Sequence, residues 1–179
     1  MKSVAVSYGE GDDQPGDDQP GEGEDEEDKP TTSGAICVLV EDVANLHIGD
    51  QVVIAASESD LALSTTQNKN NRGQVAITKK GNTIIINDDV QVLTLEEGNI
   101  DGTFAFYTGE GYLYAASSSS NHLKTQEELS DNSSWEITIT DGVASVVAQG
   151  TNTRNVMQYN QSSSLFSCYA SASQKPIAI

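Results

Sequence analysis

The stretch that decides the fold is Val90–Gln126. It holds VQVLTLEEG (90–98), TFAFYTG (103–109), GYLYAAS (111–117) and HLKTQ (122–126). In each phrase apolar and polar residues alternate, and Gly, Asn, Asp or Ser clusters separate the phrases. Alternation over four to eight residues is the signature of a strand with one face in the core. A second series comes after it: WEITITDG (135–142), VASVVAQ (143–149), NVMQYNQ (155–161) and LFSCYA (165–170). Upstream, Ile36–Val40, Gln51–Ala55, Leu61–Thr65, Gln74–Thr78 and Thr83–Ile86 have the same texture, and Pro176–Ile179 ends the chain in another such run. The only helical candidate is Glu41–His47, about one turn long.

Many short strands at even spacing point to an all-β barrel or sandwich. The runs also group in sets of about four, opened by Ile36–Val40, Val90–Leu95 and Trp135–Thr140. Three such units predict a closed, β-trefoil-like barrel of about twelve or more short strands, with a β-sandwich or another barrel as the alternative. The first set is loose because Thr83–Ile86 is an extra run.

Residues 9–28, GEGDDQPGDDQPGEGEDEED, hold 11 of the 27 acidic residues and no base. Such a segment lacks the apolar surface needed to offset ordering entropy. It predicts a disordered acidic Pro/Gly linker over 9–34, ahead of a module at 35–179. The module itself carries 16 acids against 7 bases, a net −9. That charge repels phosphate backbones and anionic membranes, so neither nucleic acid nor membrane insertion is expected. No apolar run reaches the ~20 residues that span a bilayer. Residues 1–8 read as the last strand of an upstream domain or as a disordered leader, and both ends look cut. A covalently attached upstream domain and an upstream targeting signal are therefore expected.

Catalysis has little to draw on. His47 lies in a turn, His122 has no carboxylate nearby in sequence, and no nucleophile elbow, P-loop or zinc motif occurs. The acid pairs Asp88-Asp89, Glu96-Glu97 and Glu127-Glu128 read as solvated strand ends. No catalytic residue, metal site or cofactor is expected. Cys37 and Cys168 read as buried thiols, with a disulfide between them the alternative.

Binding is better supported. Tyr112, Tyr114 and Tyr159 lie among Ser, Asn and Gln, and an aromatic ring beside amides and hydroxyls suits a sugar. Trp135, Ile137 and Ile139 share one face of their run and read as core. The only two arginines sit in matching loops, Gln67-x-x-Asn70-x-Arg72 and Gln149-x-x-Asn152-x-Arg154. These loops have two readings: amides that cap strand ends while the arginine ties down carbonyls, or a paired polar pocket for a glycan. The candidate ligand-binding set is thus Tyr112, Tyr114, Tyr159, Gln67, Asn70, Arg72, Gln149, Asn152 and Arg154.

ALSTTQNKNNRG, LTLEEGNIDGTFAFYTGEGYLYAASSSSNHLKTQ, AQGTNTRNVMQYN and SSSLFSCYASASQKPIAI resemble an accessory β-module of large secreted or surface proteins of Bacteroidetes and some gut Firmicutes. The resemblance covers roughly residues 35–179. It implies an appendage to nucleases, glycan-active enzymes or adhesin-like chains, secreted or at the cell surface, and transfers no catalytic or binding residue. The expected function is non-catalytic binding of a polysaccharide or glycoprotein. The alternatives are a purely structural or protein-docking module and, third, a hydrolase assembled from distant residues.

Overall fold

The computed structural model describes residues 33–179. The strand-like start at 1–8 and nearly all of the linker at 9–34 lie outside the described residues. The described chain is all-β. Its strands are, in order, β1 (Ile36–Val38), β2 (Gln51–Val52), β3 (Ala55–Ala56), β4 (Leu61–Gln67), β5 (Arg72–Ala76), β6 (Thr78–Lys80) and β7 (Thr83–Ile85). Next come β8 (Leu93–Glu97), β9 (Phe104–Tyr107), β10 (Tyr112–Ala115) and β11 (Leu123–Gln126). The last are β12 (Trp135–Thr140), β13 (Val143–Ala148), β14 (Val156–Asn160), β15 (Leu165–Tyr169) and β16 (Ile177–Ala178). The helical candidate Glu41–His47 is one short 3-10 turn, Val43–Asn45, capped by the Asp42 carboxylate on the Ala44 N–H at 2.9 Å.

Thirteen strands form one large sheet in the order β11-β10-β9-β12-β13-β14-β15-β5-β4-β3-β16, with β8 beside β9 and β2 beside β8. Every strand pairing among the described residues is antiparallel. The last strand, β16, lies between β3 (Ile177↔Ala56) and β13 (Ala144↔Ile177). The remaining strands form a separate sheet, β1-β7-β6.

The alternation decides what the large sheet buries. Leu93, Leu95, Phe106, Leu113, Leu123, Trp135 and Phe166 are fully buried in one main core. The Trp135 indole N–H is satisfied by the Leu113 carbonyl at 3.1 Å, and its ring centroid lies 6.2 Å from that of Phe106. A smaller second core joins Val53, Ala55, Ala62, Ile77, Ile86 and Val90 to Cys37 and Ile84 of the three-stranded sheet. The segment 52–56 separates the two cores. Val52, Ile54 and Ala56 face the main one, while Val53 and Ala55 face the other.

This layering corrects two expectations. The run Gln51–Ala55 is two short strands rather than one. Ile36–Val40 does not open a repeat set: β1 pairs with β7, the extra run, in register Ile36↔Ile85. Both belong to the layer that covers the second core. The cysteines are free, Cys168 in the main core and Cys37 against the second. Burial pushes both thiols above their ordinary pKa.

Candidate functional site

Both arginine loops grip the same hairpin, β10–β11. In the first loop the Gln67 amide donates to the Asn68 and Asn71 carbonyls, each at 2.9 Å. Asn68 Oδ1 accepts the N–H groups of Asn70 and Asn71. The loop then takes the Leu123 N–H on the Asn70 carbonyl at 3.1 Å and on Asn71 Oδ1 at 3.0 Å. In the second loop the Gln149 amide donates to the Val147 carbonyl at 3.0 Å and to Glu136 at 3.2 Å. The Asn152 amide reaches the Ala115 carbonyl at 2.8 Å, and its Oδ1 accepts from the Ser118 hydroxyl. Arg154 Nη1 donates to Asn121 Oδ1 at 2.9 Å.

Arg72 has a reason to be inside. β4 and β5 lose register between Leu63 and Gln67, which interrupts their ladder. Buried carbonyls need donors. The guanidinium, in a residue only 3% exposed, sits at this break. Its Nη2 donates to the Ser64 carbonyl at 3.0 Å and to Gln91 Oε1, and its Nη1 to Thr125 Oγ1 at 3.3 Å. Burial lowers its pKa, which the charge of Glu110 opposes. An arginine remains charged throughout the physiological range. Arg72 therefore offers nothing to a ligand from solvent.

Tyr159 is also corrected. It is 1% exposed, and its ring lies 5.1 Å from Phe166 inside the main core. Its hydroxyl donates to Gln74 Oε1. Alternation placed it on the face of Met157, and that face is core.

Tyr112 and Tyr114 have the opposite fate. Leu113 between them is fully buried, so both rings stand on the outer face of β10, half-buried. The register aligns Thr94, Tyr107, Tyr112 and Gln126 in one row across β8, β9, β10 and β11. The neighbouring row contains Glu96 opposite Ala105 and Tyr114 opposite Lys124. The Tyr112 hydroxyl donates to Glu96 Oε2 at 2.7 Å. Since β9 lies between their strands, the Tyr112 side chain must cross it where Ala105 stands. Ala105 is 0% exposed, and a larger residue there would lift the ring. The Tyr112 ring is half-buried in this position. Tyr107 packs beside it, centroids 5.3 Å apart and planes tilted by 53°. Gly111 precedes β10 as a glycine because a Cβ there would clash with the Gln126 carbonyl oxygen.

The Glu96 hydrogen bond, then burial and the charges of Glu96 and Tyr107, raises the Tyr112 pKa above its usual 10.0. A raised folded-state pKa contributes stability that is complete below the unfolded value and is lost as pH rises through the folded one. Wild type and Tyr112→Phe should therefore differ in urea midpoint at pH 8, and the difference should shrink steadily above pH 10. A difference unchanged across that window would show that the bond to Glu96 does not form.

The tyrosine face has polar groups left for a ligand. Among the described residues the Tyr114 hydroxyl and the Lys124 ammonium have no hydrogen-bond partner. Elsewhere the chemistry is sparse. His47 is exposed and its Nδ1 lies 3.6 Å from Asp50. Burial and the nearby Lys124 lower the pKa of His122. No trio of His, Cys, Asp or Glu among the described residues is placed to hold a metal. An open groove of about 550 Å³ is lined by Gln161, Ser162, Ser173, Gln174 and Lys175, with no aromatic residue.

Thr94, Glu96, Ala105, Tyr107, Lys124 and Gln126 are members of this face absent from the candidates drawn from sequence. Glu96 was hidden in an acid doublet read as a solvated strand end. Its partner is 16 positions away and two strands over. Compared with known proteins, the chain matches no family model and no curated protein.

Proposed function

We propose that residues 35–179 form a non-catalytic, carbohydrate-binding accessory module of an exported bacterial protein. The ligand is a polysaccharide or glycoprotein, taken on the outer face of β8–β11. One observation carries this reading: the half-buried Tyr112 on the outer face of β10 is tethered across β9 to Glu96 and packs beside Tyr107. A ring held in this way stacks on the C–H face of a sugar with little further loss of side-chain freedom. Tyr114 on the same strand, and Lys124 opposite it on β11, supply hydrogen bonds to hydroxyls of a ligand that extends toward β11. The reading assigns no catalytic residue and no cofactor. Arg72, Arg154 and the amides of their loops act by bracing the hairpin that carries the tyrosines. The secreted or surface location and the attached upstream domain rest on the resemblance of the chain to accessory β-modules.

The architecture proposed for the module is a closed, trefoil-like barrel. Its support is the pairing of β13 with both β14 and β16, which joins the two ends of the path β14-β15-β5-β4-β3-β16.

The test is binding to a panel of immobilised glycans. Tyr112→Ala should weaken retention by at least about tenfold, or roughly 1.4 kcal/mol. Tyr114→Ala should weaken it less, and neither should move the melting midpoint enough to unfold the protein at the assay temperature. Equal retention of wild type and Tyr112→Ala would remove the tyrosine face as the site.

A protein-docking role has support of its own. Ile36 and Val38 are 56% and 57% exposed, on a strand paired only with β7 among the described residues. Unpaired edges with apolar side chains recruit other chains. Loss of self-association or partner capture in Ile36→Lys, with glycan binding intact, would favour that role.

A further inference from the structure

The order of residues across the tyrosine face specifies more than sugar binding, and the ligand class drawn from it rests on the carbohydrate reading. Glu96 stands on β8 at one side of the face. Lys124 stands on β11 at the other, with Tyr112 and Tyr114 on β10 between them. Three strand intervals of about 4.8 Å separate β8 from β11, roughly 14 Å in all. This is the length of a short oligosaccharide, not of one sugar ring. The Glu96 carboxylate accepts hydrogen bonds and the Lys124 ammonium only donates them. A chain lying across the strands thus meets an acceptor at one end and a donor at the other.

Shape and charge narrow the class. The Tyr107 and Tyr112 rings are tilted by 53° to each other, so they make no single flat plane for a crystalline polysaccharide surface. A single chain that twists along its length can touch both. Glu96 on β8 stands on this face, Glu110 lies in the turn before β10, and Glu127 and Glu128 follow β11 in the chain. Against these stands one cation of the face, Lys124. Sulfated or uronic-acid chains would be repelled.

We infer that the β8–β11 face takes a single, linear, neutral oligosaccharide laid across the strands, and that Lys124 is a specificity-determining donor at its far end. Because the Tyr112 side chain reaches over β9 to Glu96, Lys124 contacts only ligands long enough to extend from there to β11, two strand intervals or about 10 Å away.

The experiment is calorimetric titration of the full chain with cello-, xylo- and manno-oligosaccharides from one to six units, and with polygalacturonate at low and high salt. For the series that binds, affinity should rise with length and level off once the chain spans the face. The monosaccharide should be at least about tenfold weaker than the hexasaccharide. Lys124→Met should weaken the hexasaccharide by about fivefold and leave the monosaccharide unchanged, and Lys124→Gln should recover part of the loss. Melting curves check that both variants are folded. A monosaccharide as tight as the hexasaccharide, or polygalacturonate tighter than every neutral chain, overturns the inference but keeps the carbohydrate reading. Absence of binding to the whole series overturns the inference, and absence of retention on the glycan panel as well overturns both.

Discussion

Arg72→Met is expected to cost about 3–5 kcal/mol of stability, measured as the shift in urea unfolding. Methionine keeps much of the stem and removes the fork of donors. The Ser64 carbonyl then has no donor at the break between β4 and β5, and Gln91 Oε1 loses its partner. A buried acceptor left unpaired costs about 1–3 kcal/mol. Gln91 is itself a junction, with its amide on the Val92 and Thr108 carbonyls at 2.8 and 3.1 Å. Arg72→Lys should recover little, because one ammonium cannot span the same acceptors. Arg154→Met should cost only about 1 kcal/mol, since its residue is half-buried and one bond, to Asn121, is lost. A loss below about 1 kcal/mol for Arg72→Met would show that desolvation of the guanidinium cancels its hydrogen bonds.

Trp135→Ala should be as severe, about 3–5 kcal/mol, as for other large aromatic residues removed from cores. Trp135 is fully buried where β12 meets β9, opposite Phe104. Its removal leaves a cavity beside Phe106 and frees the Leu113 carbonyl. Leu113 is the inward residue between Tyr112 and Tyr114, so the binding face should loosen as well. Trp135→Phe fills most of the volume and loses the N–H bond, which predicts a smaller cost of about 1–2 kcal/mol. Since Trp135 is the only tryptophan, circular dichroism must track the variants, while its fluorescence tracks the parent. A melting midpoint for Trp135→Ala within a few degrees of the parent would contradict the central position given to this ring.

Period-two alternation revealed most of the large sheet because most of its strands bury one face. WEITIT shows this plainly: Trp135 and Ile137 are buried while Glu136 and Thr138 are exposed. Alternation carries no signal where both faces are covered. Residues 52–56 are buried throughout, so their order cannot tell which core each one enters. The second core, and with it the true partner of Ile36–Val38, was therefore not legible. The same limit decided the tyrosines. Sequence placed Tyr112 and Tyr114 on one face, but only the burial of Leu113 shows that the face is outward. Tyr159 shares its spacing pattern and lies inside. The matching arginine loops were visible as a pattern, yet their common target on β10–β11 depends on folding that brings Arg72 to Thr125 and Arg154 to Asn121.

The position of β16 has a kinetic consequence. Ile177 pairs with Ala56, 121 positions earlier, and with Ala144 on the other side. Such distant pairings close late, and chains dominated by them reach the native state over milliseconds to seconds. During synthesis, residues 177–179 leave the ribosome after every other strand of this stretch. Until they arrive, β3 and β13 each present an open row of N–H and C=O groups, and the nascent chain is at its most vulnerable to mispairing with a neighbour.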